Sequence, residues 1–319
     1  MSTVFLLFFS LVTIGASTEK QLRYLPSTFA STSNQTDFNI AVVGDWSCSS
    51  NAKKTADNIN DKNPELVLAA GDLGYDTQSG SCWYDIIAPF VSKTKIAIGN
   101  HDDKEAASTE LKNEYLDHFN LTESYYSFNH ENVHVAVMDT QASYGLNSPQ
   151  YSFVKSDLQK ASQDSQLDWI FVLFHKPAYS SPSHHQPQSD LRNIYHPLFD
   201  KYNVDLVIQA HNHIYDRTLP IKFNKDNPSE PIVSTTTVPS NNSSKNIGYF
   251  KDPSNPIFVV VGTGGRGLAT LKGELPYVAY SDNKEYGFLN IDVNKETLTA
   301  KFYSNGDKNL IKDQFIISK

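Results

Sequence analysis

Six short apolar runs punctuate the first two-thirds of the chain: "FNIAVVG", "PELVLAAG", "TKIAIGN", "VHVAVMD", "LDWIFVLFH" and "VDLVIQAH". Each is a few residues long and apolar almost throughout, the pattern of strands buried on both faces. Between them, apolar residues recur at helical spacing among many polar ones, as in "NAKKTADNINDKN", "WYDIIAPFVSK", "SFVKSDLQKASQ" and "SDLRNIYHPLFDKY". Strands alternating with helices predict βαβ units and a largely parallel sheet covered on both faces.

From about Ile232 onward the pattern changes. The runs "IFVVVG", "EYGFLNIDV", "LTAKFYSN" and "DQFIISK" follow one another with little helical spacing between them, which predicts antiparallel strands completing a second sheet. The expected fold class is α/β, a two-sheet sandwich with βαβ units. Asn224 to Asp252, rich in Asn, Ser and Pro, reads as a long loop or insertion rather than a domain boundary.

The formal charge is −8, from 27 Lys plus Arg against 35 Asp plus Glu. That balance argues against a sequence-independent nucleic-acid partner, which needs a basic footprint to neutralise phosphates. At the N-terminus, Val4 to Ala16 is apolar apart from Ser10 and Thr13, and small residues follow. This is the length of a signal-peptide core and short for a bilayer span. Its leading segment lacks Lys and Arg, so a buried strand or an uncleaved anchor is the competing reading. The expectation is a signal peptide over residues 1–18, a polar segment over 19–36 and a single domain over 37–319. The product is secreted or extracellular, with a lysosome-like compartment also compatible, and has no stable membrane span after processing.

Cys48 and Cys82 each lie a few residues beyond a Gly-Asp pair. If the two turns are neighbours, an exported chain permits a disulfide between them; otherwise they are two free thiols. Sequons at Asn34, Asn120, Asn241 and Asn242 are compatible with surface glycosylation.

The informative pattern is what ends each apolar run. "VVGDW" ends in Asp45, "LAAGDLGY" in Asp72 and Tyr75, "AIGNHD" in Asn100, His101 and Asp102, "VLFH" in His175, and "IQAHNH" in His211 and His213. In a parallel sheet these ends open toward one edge, so residues far apart in sequence converge in one crevice. Each ending alone is commonplace, since Asp suits turns and a strand-end His is usually structural. Their succession predicts a metal site. Carboxylate and amide oxygens mixed with imidazoles suit first-row transition metals. The set is too large for one tetrahedral ion and fits two ions about 3.5–4 Å apart that share a bridging carboxylate.

In "GDW", "GDLGYD", "GNHD", "FHKP" and "AHNH" the chain resembles the calcineurin-like metallophosphoesterase superfamily, in the family's motif order. It looks most like the purple acid phosphatases, because Tyr75 stands three residues after the Asp of the second motif and, in the first, Ser47 stands two residues after Asp45 where many metallophosphoesterases carry a histidine. The short segment before "FNIAVVG" leaves no room for the extra N-terminal domain of plant enzymes, which makes the resemblance one to the tartrate-resistant type. It implies an α/β/β/α sandwich and hydrolysis of phosphate monoesters by attack of a metal-bound hydroxide. It also implies iron(III) held by Asp45, Asp72, Tyr75 and His213, and a divalent iron, zinc or manganese ion held by Asp72, Asn100, His175 and His211. His101 would touch phosphate. His184 and His185, nine and ten residues after His175, would bind substrate and supply a general acid. The one departure from the last motif is Ala210 where glycine is usual.

The implied substrates are small phosphate esters or phosphoproteins. The oligomeric state stays open, a monomer being the simpler expectation. A phosphodiesterase or nucleotidase with the same two ions is the alternative activity, and an inactive metal-stabilised binding protein the alternative class. The glycine run "GTGGRG" (Gly262 to Gly267) follows a strand, but "LATLKGELP" after it cannot continue as a helix. A tight turn near the site mouth is expected instead, with Arg266 a candidate to reach phosphate.

Overall fold

The parity of the apolar runs decides where the layers lie. In the strand Trp169–Leu173, Trp169, Phe171 and Leu173 enter one hydrophobic core while Ile170 and Val172 enter another. Successive side chains on a strand point to opposite faces, so a strand apolar at every position must be covered on both. The computed structural model that shows this describes residues 37–75, 78–103, 107–234 and 247–319. The expected signal peptide, the polar segment 19–36 and the sequons at Asn34, Asn241 and Asn242 lie outside those residues.

In chain order the first elements are β1 (Phe38–Val43), α1 (Ser50–Lys62), β2 (Leu66–Ala69), α2 (Ser81–Ile87) running into a 3-10 helix (Ala88–Lys93), β3 (Thr94–Ile96) and α3 (Thr109–His118). The hairpin β4 (Tyr126–His130) and β5 (Val133–Val137) follows, then α4 (Pro149–Ala161), β6 (Trp169–Leu173), α5 (Ser189–Lys201), β7 (Leu206–Gln209) and β8 (Tyr215–Thr218). The last are β9 (Ile221–Lys222), β10 (Ile232–Val233), β11 (Ile247–Lys251), β12 (Ile257–Val261), β13 (Val278–Asp282), β14 (Gly287–Val293), β15 (Thr297–Ser304) and β16 (Ile311–Ser318).

Two seven-stranded mixed sheets result, in the orders β11-β16-β15-β14-β1-β2-β3 and β13-β8-β12-β7-β6-β5-β4. One core lies between the sheets. It also takes in Ala52, Ala56 and Ile59 of α1, Trp83 and Ile87 of α2, and Leu111 and Tyr115 of α3. The other core lies between the second sheet and Val154 and Leu158 of α4 with Leu191, Leu198 and Phe199 of α5. The α/β two-sheet sandwich expected from the sequence is present.

Two details differ from that expectation. The parallel strands are not one sheet: β1-β2-β3 belong to the first and β5-β6-β7 to the second. Among the late strands, β12 runs parallel to β7 and β11 parallel to β16. Their composition is identical either way, because what sets direction is the connection and not the strand.

Helix starts follow local chemistry. Ser49, Ser108 and Ser148 each accept a hydrogen bond from a backbone N–H of the first turn, of Ala52, Leu111 and Tyr151 respectively, and Pro149 occupies the first turn of α4. Across the sandwich, Arg217 of β8 forms a two-pronged ion pair with Asp313 of β16, at 2.7 and 2.8 Å, and the Tyr215 hydroxyl donates to the same carboxylate. All three are buried, so removing one partner would strand a charge between the sheets. No helix among the described residues is long and apolar enough to cross a membrane.

Candidate metal centre

Every residue singled out at a strand end lies beyond the C-terminal end of a parallel strand: Asp45 after β1, Asp72 after β2, Asn100 after β3, His175 after β6, and His211 and His213 after β7. Although they come from two sheets, backbone hydrogen bonds stitch the ends together. Gly44 N–H donates to Val261 O at 2.8 Å, and His211 N–H donates to Asp45 Oδ2 at 2.8 Å. The turns are held in unusual conformations, with positive φ at Asp45, Asp72, Tyr75 and His211. Such backbone is unfavourable for side-chain-bearing residues and persists where the surroundings over-determine it.

The side chains gather round two points. The Tyr75 hydroxyl lies 3.0 Å from Asp45 Oδ1, 2.9 Å from Asp72 Oδ2 and 3.0 Å from His213 Nε2. His175 Nε2 lies 3.2 Å from Asp72 Oδ1, from Asn100 Oδ1 and from His211 Nδ1. Asp72 therefore turns one carboxylate oxygen to each cluster.

Backbone carbonyls set the histidine tautomers. His175 Nδ1–H donates to Ala70 O at 2.9 Å and His213 Nδ1–H donates to Gly267 O at 2.7 Å. When neutral, both rings present a lone pair at Nε2, as metal-binding histidines do. With the imidazoles neutral, the first cluster has one hydroxyl proton facing two carboxylates and an imidazole, and the second gathers the Asp72 and Asn100 oxygens and the His211 Nδ1 around the His175 Nε2 lone pair. A proton can relieve such crowding in part; a cation satisfies it fully. Asp72, His175 and His211 meet the distance condition for sharing an ion, and all three are buried.

The electrostatics agree. Burial alone would raise the Asp72 carboxyl, yet His175 beside it holds it far below the usual carboxylate range. Burial would lower His175, but Asp72 outweighs it and pushes the imidazole up to about 9. His211 is pushed down to about 2, by burial and then by charge on His175 and His185. Burial, then the Asp45 and Asp72 carboxylates, drive the Tyr75 phenol far above its ordinary value.

The outer residues fall in place around these clusters. The His101 ring lies 4.2 Å from the Tyr75 ring, and its backbone N–H donates to Asp72 Oδ1 at 2.8 Å. The His185 ring is 4.0 Å from that of His211, and His184, which is exposed, is 4.5 Å from His185. A cavity of about 350 Å³ opens here, lined by His184, His185, His213, Gly267, Leu268, Ala269, Thr270 and Lys272. The Arg266 guanidinium sits 4.7 Å over the Tyr75 ring. Cys48 and Cys82 form a disulfide, so the two Gly-Asp turns are neighbours as the sequence allowed.

The glycine run is explained by close approach. A Cβ at Gly262 would lie 2.0 Å from Asn212 O and 2.7 Å from Asp45 Oδ2, and one at Gly265 would lie 2.3 Å from Trp46 O. The strand-end pattern offered Asp102 only as one more potential metal ligand and passed over the role it has. Its carboxylate, fully buried, accepts from the backbone N–H groups of Asp72, Leu73 and Gly99 at 2.8, 2.9 and 2.8 Å. Asn212 was also passed over. The signal for both was a polar residue directly beside a motif histidine after a buried strand.

Comparison with known proteins settles the family. The model described as calcineurin-like phosphoesterase matches residues 38–215, more than half of the chain and every strand end just described. The chain belongs to the calcineurin-like phosphoesterase family. A second model, described as iron/zinc purple acid phosphatase-like protein C, matches residues 255–314 of this phosphoesterase. Purple acid phosphatase 18 of Arabidopsis thaliana is 29% identical over 255 residues, covering 75% of this chain and 56% of that protein. The Fe(3+)-Zn(2+) purple acid phosphatase 12 of the same plant is 31% identical over 166 residues, covering 51% of this chain and 32% of that protein. The chain spans about half the length of the first such relatives. A purple acid phosphatase from yellow lupin (Lupinus luteus) seeds shares the fold, with a TM-score of 0.71 at 20% identity over 89% of this chain and 54% of that one.

Proposed function

We propose that this phosphoesterase is an acid phosphatase that hydrolyses phosphate monoesters with two metal ions. The observation that carries the proposal is Asp72, whose two oxygens face two separate groups of candidate ligand side chains. Asp45, Asp72, Tyr75 and His213 would hold one ion; Asp72, Asn100, His175 and His211 would hold the other. Tyr75 favours iron(III) for the first. A phenol ordinarily titrates at about 10, so holding it as phenolate in acidic medium calls for a strongly Lewis-acidic partner. The second set, mixing oxygen and imidazole donors, suits a divalent iron, zinc or manganese ion. A relative described as an Fe(3+)-Zn(2+) enzyme supports the pairing.

When bound, the two ions supply Lewis acidity at the phosphoryl group and make water a competent nucleophile near neutral pH. The chain's own groups do the rest. His101, beside Tyr75 and Asp72, faces the phosphate. His184 and His185 border the cavity that receives the leaving alcohol, where an imidazolium returns a proton to the departing oxygen. Burial lowers His101, and burial together with His184 lowers His185. Both rings therefore become cationic only on the acid side of their ordinary value, which supports work in acidic medium on an anionic substrate.

Export is part of the proposal. The disulfide belongs to an oxidising compartment, and the exposed sequon at Asn120 is available for glycosylation. The test of the activity is hydrolysis of p-nitrophenyl phosphate beside bis(p-nitrophenyl) phosphate. Preference for the monoester is expected; preference for the diester would mean a phosphodiesterase.

A further inference from the structure

Asn212 stands between the two histidines of "HNH", is wholly buried, and belongs to neither lone-pair cluster. Its side chain instead crosses to the loop that carries His184 and His185. Asn212 Oδ1 accepts from the backbone N–H of His185 at 3.1 Å, while Nδ2 donates to His185 O at 3.2 Å and to Ser180 Oγ at 2.7 Å. One amide thus pairs with both backbone groups of a single residue, as a neighbouring strand would. Turning the amide over would set its NH2 against the His185 N–H, so its orientation is determined.

The main chain of Asn212 is held as firmly. Its N–H donates to Ala210 O at 2.8 Å and its carbonyl accepts from Ile214 N–H at 2.7 Å. Gly262 packs against that carbonyl so closely that no side chain fits between them. Asp216 accepts from Ser181 N–H at 2.5 Å and Lys272 N–H donates to Pro182 O at 2.8 Å, which anchors the start of the histidine loop. The His185 backbone, four residues on from Ser181, takes its hold from Asn212.

We infer that Asn212 is the positioning residue of His185: it fixes the substrate histidine's backbone to the rigid turn that carries His211 and His213. The inference rests on the reading of His185 as a phosphate-facing group. A flexible loop must be ordered each time substrate binds, whereas a clamped one is ordered beforehand, so the clamp should act on phosphate affinity.

The test is a double-mutant cycle of Asn212→Ala and His185→Ala in the metal-loaded protein. It reads inorganic phosphate affinity by calorimetry and kcat/KM for p-nitrophenyl phosphate, with metal content and melting temperature recorded for each variant. Asn212→Ala should weaken phosphate binding by about tenfold or more, since small misplacements of a reacting group can cost on the order of a hundredfold. Both metals should be retained. In the His185→Ala background the same substitution should change affinity by less than about twofold, because the residues act as one unit. Ser180→Ala, which removes the hydroxyl that accepts from the amide at 2.7 Å and makes longer contacts to Ser181 O and Asp216 Oδ2, should shift affinity in the same direction by less, and serves if Asn212→Ala does not fold. Effects of Asn212→Ala or Ser180→Ala that persist undiminished without the His185 ring would overturn the inference while leaving the proposed activity standing. A silent His185→Ala would overturn the role of His185 and the inference together.

Discussion

Gly44 and Ala210 face each other across the junction of the two sheets: a Cβ on Gly44 would lie 2.6 Å from the Cβ of Ala210. The usual glycine of the last motif is replaced here, and the space that Ala210 occupies is left open by the glycine of the first. Gly44→Ala should therefore destabilise the protein by about 1–3 kcal/mol, the cost of overpacking a filled interior. Adding Ala210→Gly should recover part of the loss, because contacts of 3.0 and 3.1 Å with Ala70 remain. Melting temperatures of the parent and the two variants decide it; a neutral Gly44→Ala contradicts it.

Among the described residues, the carboxylate of Asp102 is the one side chain that accepts from the N–H groups of Asp72, Leu73 and Gly99. Asp102→Ala should leave buried donors unsatisfied, at roughly 1–3 kcal/mol each, and lower metal occupancy by freeing the Asp72 turn. Asp102→Asn keeps one acceptor oxygen and should fall between. Denaturant titration with metal analysis measures both effects, and an Asp102→Ala protein of parental stability would refute this role.

Asp216 gives a pH dependence with a definite sign. Burial pushes its carboxyl up to about 6 despite hydrogen bonds from Ser281 and Ser181. The folded protein then binds this proton more tightly than the unfolded chain does. Its contribution is fully present below the ordinary carboxylate range and is lost as pH rises through about 6. Asp216→Asn should flatten the stability profile across that window by up to about 3 kcal/mol. Urea midpoints at a series of pH values measure this, and superimposable profiles would contradict it.

The disulfide closes a loop with a sequence separation of 34 between Cys48 and Cys82. Replacing both by Ser should cost about 3–4 kcal/mol on the loop-entropy account. Because Cys48 follows Asp45 and Cys82 follows Tyr75, the loss should fall on metal retention as well. Mass measurement under non-reducing conditions verifies the bond itself.

The strand-end residues were legible because each ends an apolar run, and runs that end in Asp, Asn or His are visible without knowing how the strands pair. What paired with what was not. β1 and β6 have the same apolar signature, so nothing local says that they lie in different sheets. The helix α3 escaped notice because only Leu111 and Tyr115 of "TELKNEYLDH" are buried. Asp102 and Asn212 were in view within "GNHD" and "HNH", but apart from the Ser180 hydroxyl the partners described for them are main-chain groups brought near by tertiary packing, and backbone groups leave no trace in a sequence.

Tyr75 makes the identity of the first ion observable. Iron-loaded, oxidised protein should absorb in the visible through a phenolate-to-iron transition, and Tyr75→Phe should abolish the band. Colour that survives the substitution would remove iron(III) from the Tyr75 cluster while sparing the two-metal reading.

That reading is tested most directly by titrating metal into metal-free protein while following hydrolysis of p-nitrophenyl phosphate at mildly acidic pH. Activity should rise to a plateau at two equivalents of metal and stay near zero in Asp72→Asn, which has lost the shared carboxylate. Hydrolysis that is absent, that needs no metal, or that is complete at one equivalent would contradict it.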